Sequence, residues 1–156
     1  MIQAWRVCRD IYADLSGNGA KRHGGRWNSP GRPVVYLSEH PALAALEVLV
    51  HLDLTVDLLP DDYVLLQVAL PDEPPFRVAS APEEPRAVGD RWLQNGVTAV
   101  LRVPSAIIPS TTNLLLNPLH GNSASASIIG KEPFAFDEMN GRNWSWPAPK
   151  LSPVPG

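Results

Sequence analysis

The stretch Val34-Val35-Tyr36-Leu37-Ser38-Glu39-His40-Pro41-Ala42-Leu43-Ala44-Ala45-Leu46-Glu47-Val48-Leu49-Val50-His51-Leu52 decides the fold. Val34–Leu37 is short and β-prone, and Ala42–Leu52 is rich in Ala, Leu and Glu, which have high helix propensity. Pro41 stands where a first-turn proline is tolerated, with Ser38 and His40 both open as the cap. The segment therefore reads as a strand followed at once by a helix. Leu43, Leu46 and Val50 recur at i, i+3 and i+7 of one apolar stripe, and Glu47 is its i+4 member. An unpaired buried carboxylate costs several kcal/mol, so Glu47 must meet a cation or hydrogen-bond donors, or face an open cleft. On the residues alone a structural ion pair and a catalytic carboxylate stand level. His51, four residues on, shares that side and reads as a packed or surface histidine.

Outward from this segment, prolines cut the chain into pieces that suit strands and loops, because a helix interior rejects proline. Strands are expected at Ile2–Cys8, Tyr63–Leu70, Ala99–Val103, Leu114–Leu116 and Ser125–Ile129. In Tyr63–Leu70, Val64, Leu66, Val68 and Leu70 share a face, although Leu65 spoils the alternation. Pro71–Pro85 holds five prolines and several acids and reads as a surface loop, and Gly89–Leu93 as a short helix carrying Trp92. The fold class is α+β, a compact β-rich mixed domain with few short helices. Residues 1–138 form that domain. Residues 139–156, with Trp144, Trp146 and four prolines, form a tail without regular period, open as a partner-binding peptide but read first as disordered or non-native sequence.

Length and composition narrow the class. The 156 residues fit one domain, and 17 prolines with 11 glycines stay below the roughly 25–30% that marks low-complexity chains. A formal charge of −3 gives no global basic field for nucleic acid. Cys8 alone can close no internal disulfide and build no cysteine zinc framework. No signal peptide or bilayer-spanning run is read, so the expected location is the cytoplasm.

The second informative stretch is Ser16-Gly17-Asn18-Gly19-Ala20-Lys21-Arg22-His23-Gly24-Gly25-Arg26-Trp27-Asn28-Ser29-Pro30-Gly31, followed by Arg32. It reads as a Gly-rich basic loop, and such loops suit phosphate through exposed N–H groups and guanidinium. It has neither a Walker ending nor a Rossmann fingerprint. Lys21 and Arg22 read as a solvated basic turn, whereas Arg26 beside Trp27 and Asn28 suits a nucleotide cleft. Arg6 interrupts a mainly apolar first strand, and Tyr36 ends the strand before the helix. Ser105 lies in no nucleophile elbow, and His120 lacks a second spaced ligand, so no metal is expected.

Taken in order, these blocks resemble the RES domain family, toxins of bacterial pairs whose antitoxin carries an Xre-like domain. The match runs through Trp5-Arg6, Gly19-Ala20, Gly24-Gly25-Arg26-Trp27-Asn28, Val35-Tyr36-Leu37-Ser38 and Leu43-Ala44-Ala45-Leu46-Glu47. It continues through Gly89-Asp90 with Trp92, Val103-Pro104-Ser105-Ala106 and Asn113-Leu114-Leu115-Leu116-Asn117-Pro118, closing at Phe134-Ala135-Phe136-Asp137. Gly121 after His120, and Asp137-Glu138-Met139, depart from the family's usual pattern. The resemblance implies a compact relative of the ADP-ribosyltransferase fold that breaks the nicotinamide–ribose bond of NAD⁺, with NAD⁺ as substrate and no cofactor. It implies Arg26, Glu47 and Ser105 as the catalytic trio, with Arg6, Arg26, Trp27, Asn28 and Tyr36 binding substrate. It also implies a cognate antitoxin with an Xre-like DNA-binding region that blocks the cleft, forming a hetero-oligomer, with no direct nucleic acid or membrane partner.

The chemistry agrees. Nicotinamide leaves neutral while positive charge develops on the ribose, and a fixed carboxylate stabilises such a centre. Glu47 is the residue expected to do so, Arg6 and Arg26 to neutralise the pyrophosphate, Tyr36 to pack against nicotinamide or ribose, and Ser105 to orient a neighbour. The leading expectation is an NAD⁺ glycohydrolase or phosphorylase. Its rivals are a mono-ADP-ribosyltransferase using the same pocket and a catalytically silent nucleotide- or antitoxin-binding module.

Overall fold

The structure is a computed structural model that describes residues 2–51 and 60–135. Leu52 at the end of the expected helix, Asp137, and the whole 139–156 tail lie outside the described residues. Among the described residues seven strands form one sheet in the order β4-β5-β6-β2-β1-β3-β7. They are β1 (Gln3–Arg9), β2 (Val35–Ser38), β3 (Tyr63–Ala69), β4 (Phe76–Arg77), β5 (Val100–Pro104), β6 (Thr112–Leu116) and β7 (Ser127–Pro133). Among the described residues the helices are α1 (Asn18–His23), α2 (Pro41–His51) and α3 (Pro85–Asn95), with 3-10 turns at Asp10–Tyr12 and Gly121–Ser125. This is the α+β, strand-dominated class expected, and no described helix is long and apolar enough to cross a membrane.

One core cluster joins Ala4 and Cys8 of β1, Val64, Leu66 and Val68 of β3, Val35 and Leu37 of β2, and Leu114 and Leu116 of β6. Both halves of the sheet thus contribute to one core. On the opposite face α3 presses Trp92 onto Leu101, Val103 and Leu115, while α2 presses Ala44 and Ala45 onto Val7 and Tyr63. Tyr63 and Leu65 belong to this second face, so β3 is covered on both sides. That explains its imperfect alternation, since strands buried on both faces read as apolar runs.

Four elements differ from the sequence expectation. Within the Pro71–Pro85 loop, Phe76 and Arg77 pair in parallel with Leu101 and Arg102. The two residues fall in a proline-free window, and an edge position tolerates the prolines around it. Helix α3 supplies the crossover that a parallel pair requires, and it is longer than Gly89–Leu93. It starts on Pro85 and stops at left-handed Gly96, φ 58°. Part of the Gly-rich loop is helical, with Gly24 N donating to the Ala20 carbonyl oxygen at the end of α1. Strand β7 begins at Ser127 rather than Ser125, which closes a 3-10 turn.

Helix α2 is capped by His40, whose Nδ1 accepts from Ala42 N at 3.1 Å. Its buried stripe differs from the one expected. Leu43 is buried and Leu46 half-buried, but Val50 is 57% exposed. Ala44 and Ala45 are small enough to bring the helix axis close to β1, with Val48 and Leu49 packed beside them. That roll carries Glu47 off the core and onto the edge of a cleft.

Candidate active site

The cleft exists because β1 and β2 part company. They share one register pair, Trp5↔Ser38. Beyond it, successive residues Arg6, Val7 and Cys8 of β1 and Tyr36 and Leu37 of β2 line a cavity of about 590 Å³. In a continuous ladder successive side chains alternate between faces; here an entire strand edge forms a wall. Other walls come from α1 and the following loop (Gly19, Ala20, His23, Gly24, Gly25, Arg26, Trp27), from α2 (Ala44, Glu47, Val48, His51), and from Pro104, Asn113 and Leu115. A cavity of this size lies in the ~300–1,000 Å³ range of small-molecule sites.

Glu47 projects from α2 toward the meeting point of three strand ends. Its Oε1 accepts from Ser105 Oγ at 2.7 Å and from Asn113 Nδ2 at 2.8 Å. Among the described residues no other group donates to this carboxylate, so Oε2 is uncommitted on a residue that lines the cleft. Asn113 pairs with Ser38 in the β2–β6 ladder, and Ser38 Oγ donates to Asn113 Oδ1 at 2.9 Å. Ser105 is buried behind Glu47, at the end of β5. Its oxygen accepts from Ile107 N (3.1 Å) and Ile108 N (3.3 Å), so the hydroxyl proton is directed at Glu47. The carboxylate is therefore held by neutral donors, not by a cation. Asn113 went unassigned in the sequence because only the β2–β6 register brings it to Glu47, and a strand-edge asparagine carries no motif of its own.

The opposite wall is built around Gly25. A Cβ there would stand 2.6 Å from the Tyr36 hydroxyl and 2.9 Å from Asn28 Oδ1, so glycine is required by space. Tyr36 hydroxyl donates to Asn28 Oδ1 at 2.6 Å and accepts from Trp27 N at 3.0 Å. Burial pushes its pKa up to about 12, so it stays a neutral donor with its ring on the cleft. Asn28 was expected to bind substrate, but it is fully buried and does not line the cleft. Its Nδ2 donates to the carbonyls of Ala20, Ser29 and Arg32, which makes it the pin of the loop. Trp27 is 4% exposed, part of the α3 core and part of the cleft wall at once.

Helix α3 clamps this wall from outside. Asp90 accepts from Ser29 N at 2.8 Å, and Arg86 donates twice to the Gly25 carbonyl, each at 3.2 Å. A Cβ on Gly89 would meet the Trp27 carbonyl oxygen at 1.8 Å, so the helix rests directly on the loop backbone.

The two expected phosphate ligands differ. Arg26 is exposed on the cleft wall and, among the described residues, forms no ion pair or hydrogen bond. Arg6 also lines the cleft, but its Nη1 donates to the carbonyls of Tyr12 (3.1 Å) and Asp14 (3.0 Å), leaving Nε and Nη2 for an anion. Cys8 lines the cleft too, and burial raises its thiol pKa, so it is no thiolate nucleophile. His120 caps the Gly121–Ser125 turn by accepting from Asn122 N, and no cluster able to hold a metal occurs among the described residues.

Comparison with known proteins follows the same outline. A family model described as the RES domain matches residues 3–137. A protein named "Toxin Res" from Pseudomonas putida is 44% identical, the match covering 80% of this chain and 90% of that one. A Sphingobium protein named "Prs ADP-ribosylating toxin" is 40% identical, covering 85% and 92%. Among solved structures, a chain of the M. tuberculosis MbcT–MbcA toxin–antitoxin complex superimposes with a TM-score of 0.71 at 18% identity, covering 88% of this chain and 86% of that one. That structural match establishes shared fold, and the sequence matches establish more: this chain belongs to the RES domain family.

Proposed function

We propose that this chain is the toxin of a toxin–antitoxin pair and that it consumes NAD⁺ by breaking the nicotinamide–ribose bond in the β1–β2 cleft. The observation that carries the reading is the Glu47 carboxylate, fixed through one oxygen by Ser105 and Asn113 at the wall of a dinucleotide-sized cavity. Nicotinamide departs as a neutral ring and needs no general acid. The work lies in stabilising the positive charge left on the ribose, and an oriented carboxylate that need not reorganise does this well. Oε2 would face the sugar, by charge or by a hydrogen bond to a ribose hydroxyl that tightens as the bond breaks. Arg26, and Arg6 through its two uncommitted nitrogens, would balance the pyrophosphate. Tyr36 and Trp27 would offer ring faces to the nicotinamide or ribose.

A second reading is favoured by the name of the Sphingobium relative, an ADP-ribosylating toxin. Under it the same cleft delivers ADP-ribose to a protein acceptor. The two readings separate when purified chain is incubated with adenylate-labelled NAD⁺, with and without phosphate, in the presence of bacterial extract. Free ADP-ribose, or its 1″-phosphate when phosphate is added, identifies a glycohydrolase or phosphorylase. Label fixed to protein identifies a transferase. Intact NAD⁺ in every arm would overturn both and leave a nucleotide- or antitoxin-binding module. The partner we expect is an antitoxin that covers this cleft and carries an Xre-like DNA-binding region.

A further inference from the structure

We propose that Asn113 and Ser38 form a directional relay that fixes the orientation of the Glu47 carboxylate toward the substrate, making Asn113 a positioning residue for the reaction. The inference rests on the reading of Glu47 given above and deepens it. An ionised carboxylate only accepts hydrogen bonds, so Asn113 must present its NH₂ group to Glu47 and its carbonyl the other way. Ser38, 4% exposed and directly across the β2–β6 ladder, donates to that carbonyl at 2.9 Å and so locks the amide against flipping. A flipped amide would set its carbonyl against Oε1 and turn an attraction into a repulsion.

Two donors, Asn113 at 2.8 Å and Ser105 at 2.7 Å, then converge on one oxygen. A partial rotation that tilts the carboxylate plane about its last bond would break both. The other oxygen is left to the substrate in a fixed direction. The position of the relay explains why it can work. Ser38 is the residue at which β2 makes its single pair with β1, so the same backbone point that closes the cleft also anchors the amide. The catalytic carboxylate is thereby registered to the apex of the cleft rather than to the mobile end of its own side chain.

The test compares full-length wild type, Asn113→Ala, Ser38→Ala, the double variant and Glu47→Gln, with kcat and KM for NAD⁺ and thermal unfolding measured on each. Asn113→Ala is expected to lower kcat about 10²-fold, the scale of misplacing a reacting group by an ångström, while KM stays within about twofold. Ser38→Ala is expected to lower kcat less, about tenfold, and to add nothing in the Asn113→Ala background, since it acts through that amide. Asn113→Leu keeps the approximate shape and loses the donor without adding a charge beside Glu47, and repeats the kcat loss should the alanine variant fold poorly. Full kcat in Asn113→Ala beside an inactive Glu47→Gln overturns the relay alone. A raised KM at constant kcat, or losses that multiply in the double variant, also overturns it. Wild-type turnover by Glu47→Gln removes the reading of the site and the relay with it.

Discussion

The two edges of β1 have opposite fates. Toward β3 it is zipped over seven register pairs from Gln3↔Ala69 to Arg9↔Tyr63; toward β2 it is held at Trp5↔Ser38 and nowhere else. The zipped edge is core, with Ala4, Leu66 and Val68 fully buried. The open edge carries Arg6, faces Tyr36, and has Glu47 hung over it. A sheet interior normally pairs every backbone group. Where it parts instead, it makes room for a ligand, and in this molecule the chemically useful side chains gather at that gap.

If the open edge is held open by its Gly-rich wall, damage to the support behind that wall should be costly. Gly89→Ala drives a methyl into the Trp27 carbonyl, and neither backbone can move alone. We expect a loss of at least about 3 kcal/mol in unfolding free energy, the upper end for overpacking, measured by urea denaturation. Asp90→Ala leaves Ser29 N without its partner and should cost about 1–3 kcal/mol, with weaker NAD⁺ binding as the loop relaxes. Loss of stability without any change in binding would show that the wall is mere scaffold.

On the wall itself, Arg26→Ala removes an exposed cation with no structural duty among the described residues. We expect about tenfold weaker NAD⁺ binding, about 1.4 kcal/mol, with an unchanged Tm. An unchanged titration curve would show that the phosphates bind elsewhere.

The smallest effect belongs to the closed end. Glu39 accepts from Thr112 N and Oγ1, tying the residue after β2 to β6. The Thr112 hydroxyl chiefly, helped by Arg102, holds its pKa below the usual carboxylate value. A depressed pKa contributes stability above the unfolded value that is lost as pH falls through the folded one. Glu39→Gln should therefore lower Tm slightly at neutral pH, with the difference from wild type shrinking progressively as the pH falls below the ordinary glutamate value of about 4.3. A difference that grows with acid would reverse the assignment.

How much of this was legible follows from the range of each signal. Strands β1, β3, β5 and β6 and helix α2 announce themselves through short runs of β-branched or helix-forming residues. Glu47 stands out because a carboxylate interrupts an apolar stripe. The buried stripe departs from the i, i+3, i+7 pattern because two alanines bring α2 close to the sheet on a different face. The short α1 and the two-residue β4 carry too few residues for any period to register. Asn28 looked like a ligand beside Arg26, yet its burial makes it the loop's pin. Asn113 was invisible because its role arises from strand register, a long-range property. The parting of β1 from β2, on which the site depends, leaves no mark in either strand's composition.

The most direct test measures NAD⁺ binding and nicotinamide release on the same samples of wild type and Glu47→Gln. The variant can keep both hydrogen bonds by turning its amide carbonyl toward Ser105 and Asn113, so fold and affinity should be preserved. We expect wild type to release nicotinamide and the variant to bind NAD⁺ comparably while turning over about 10²–10³-fold more slowly. Equal release from both proteins would contradict the account.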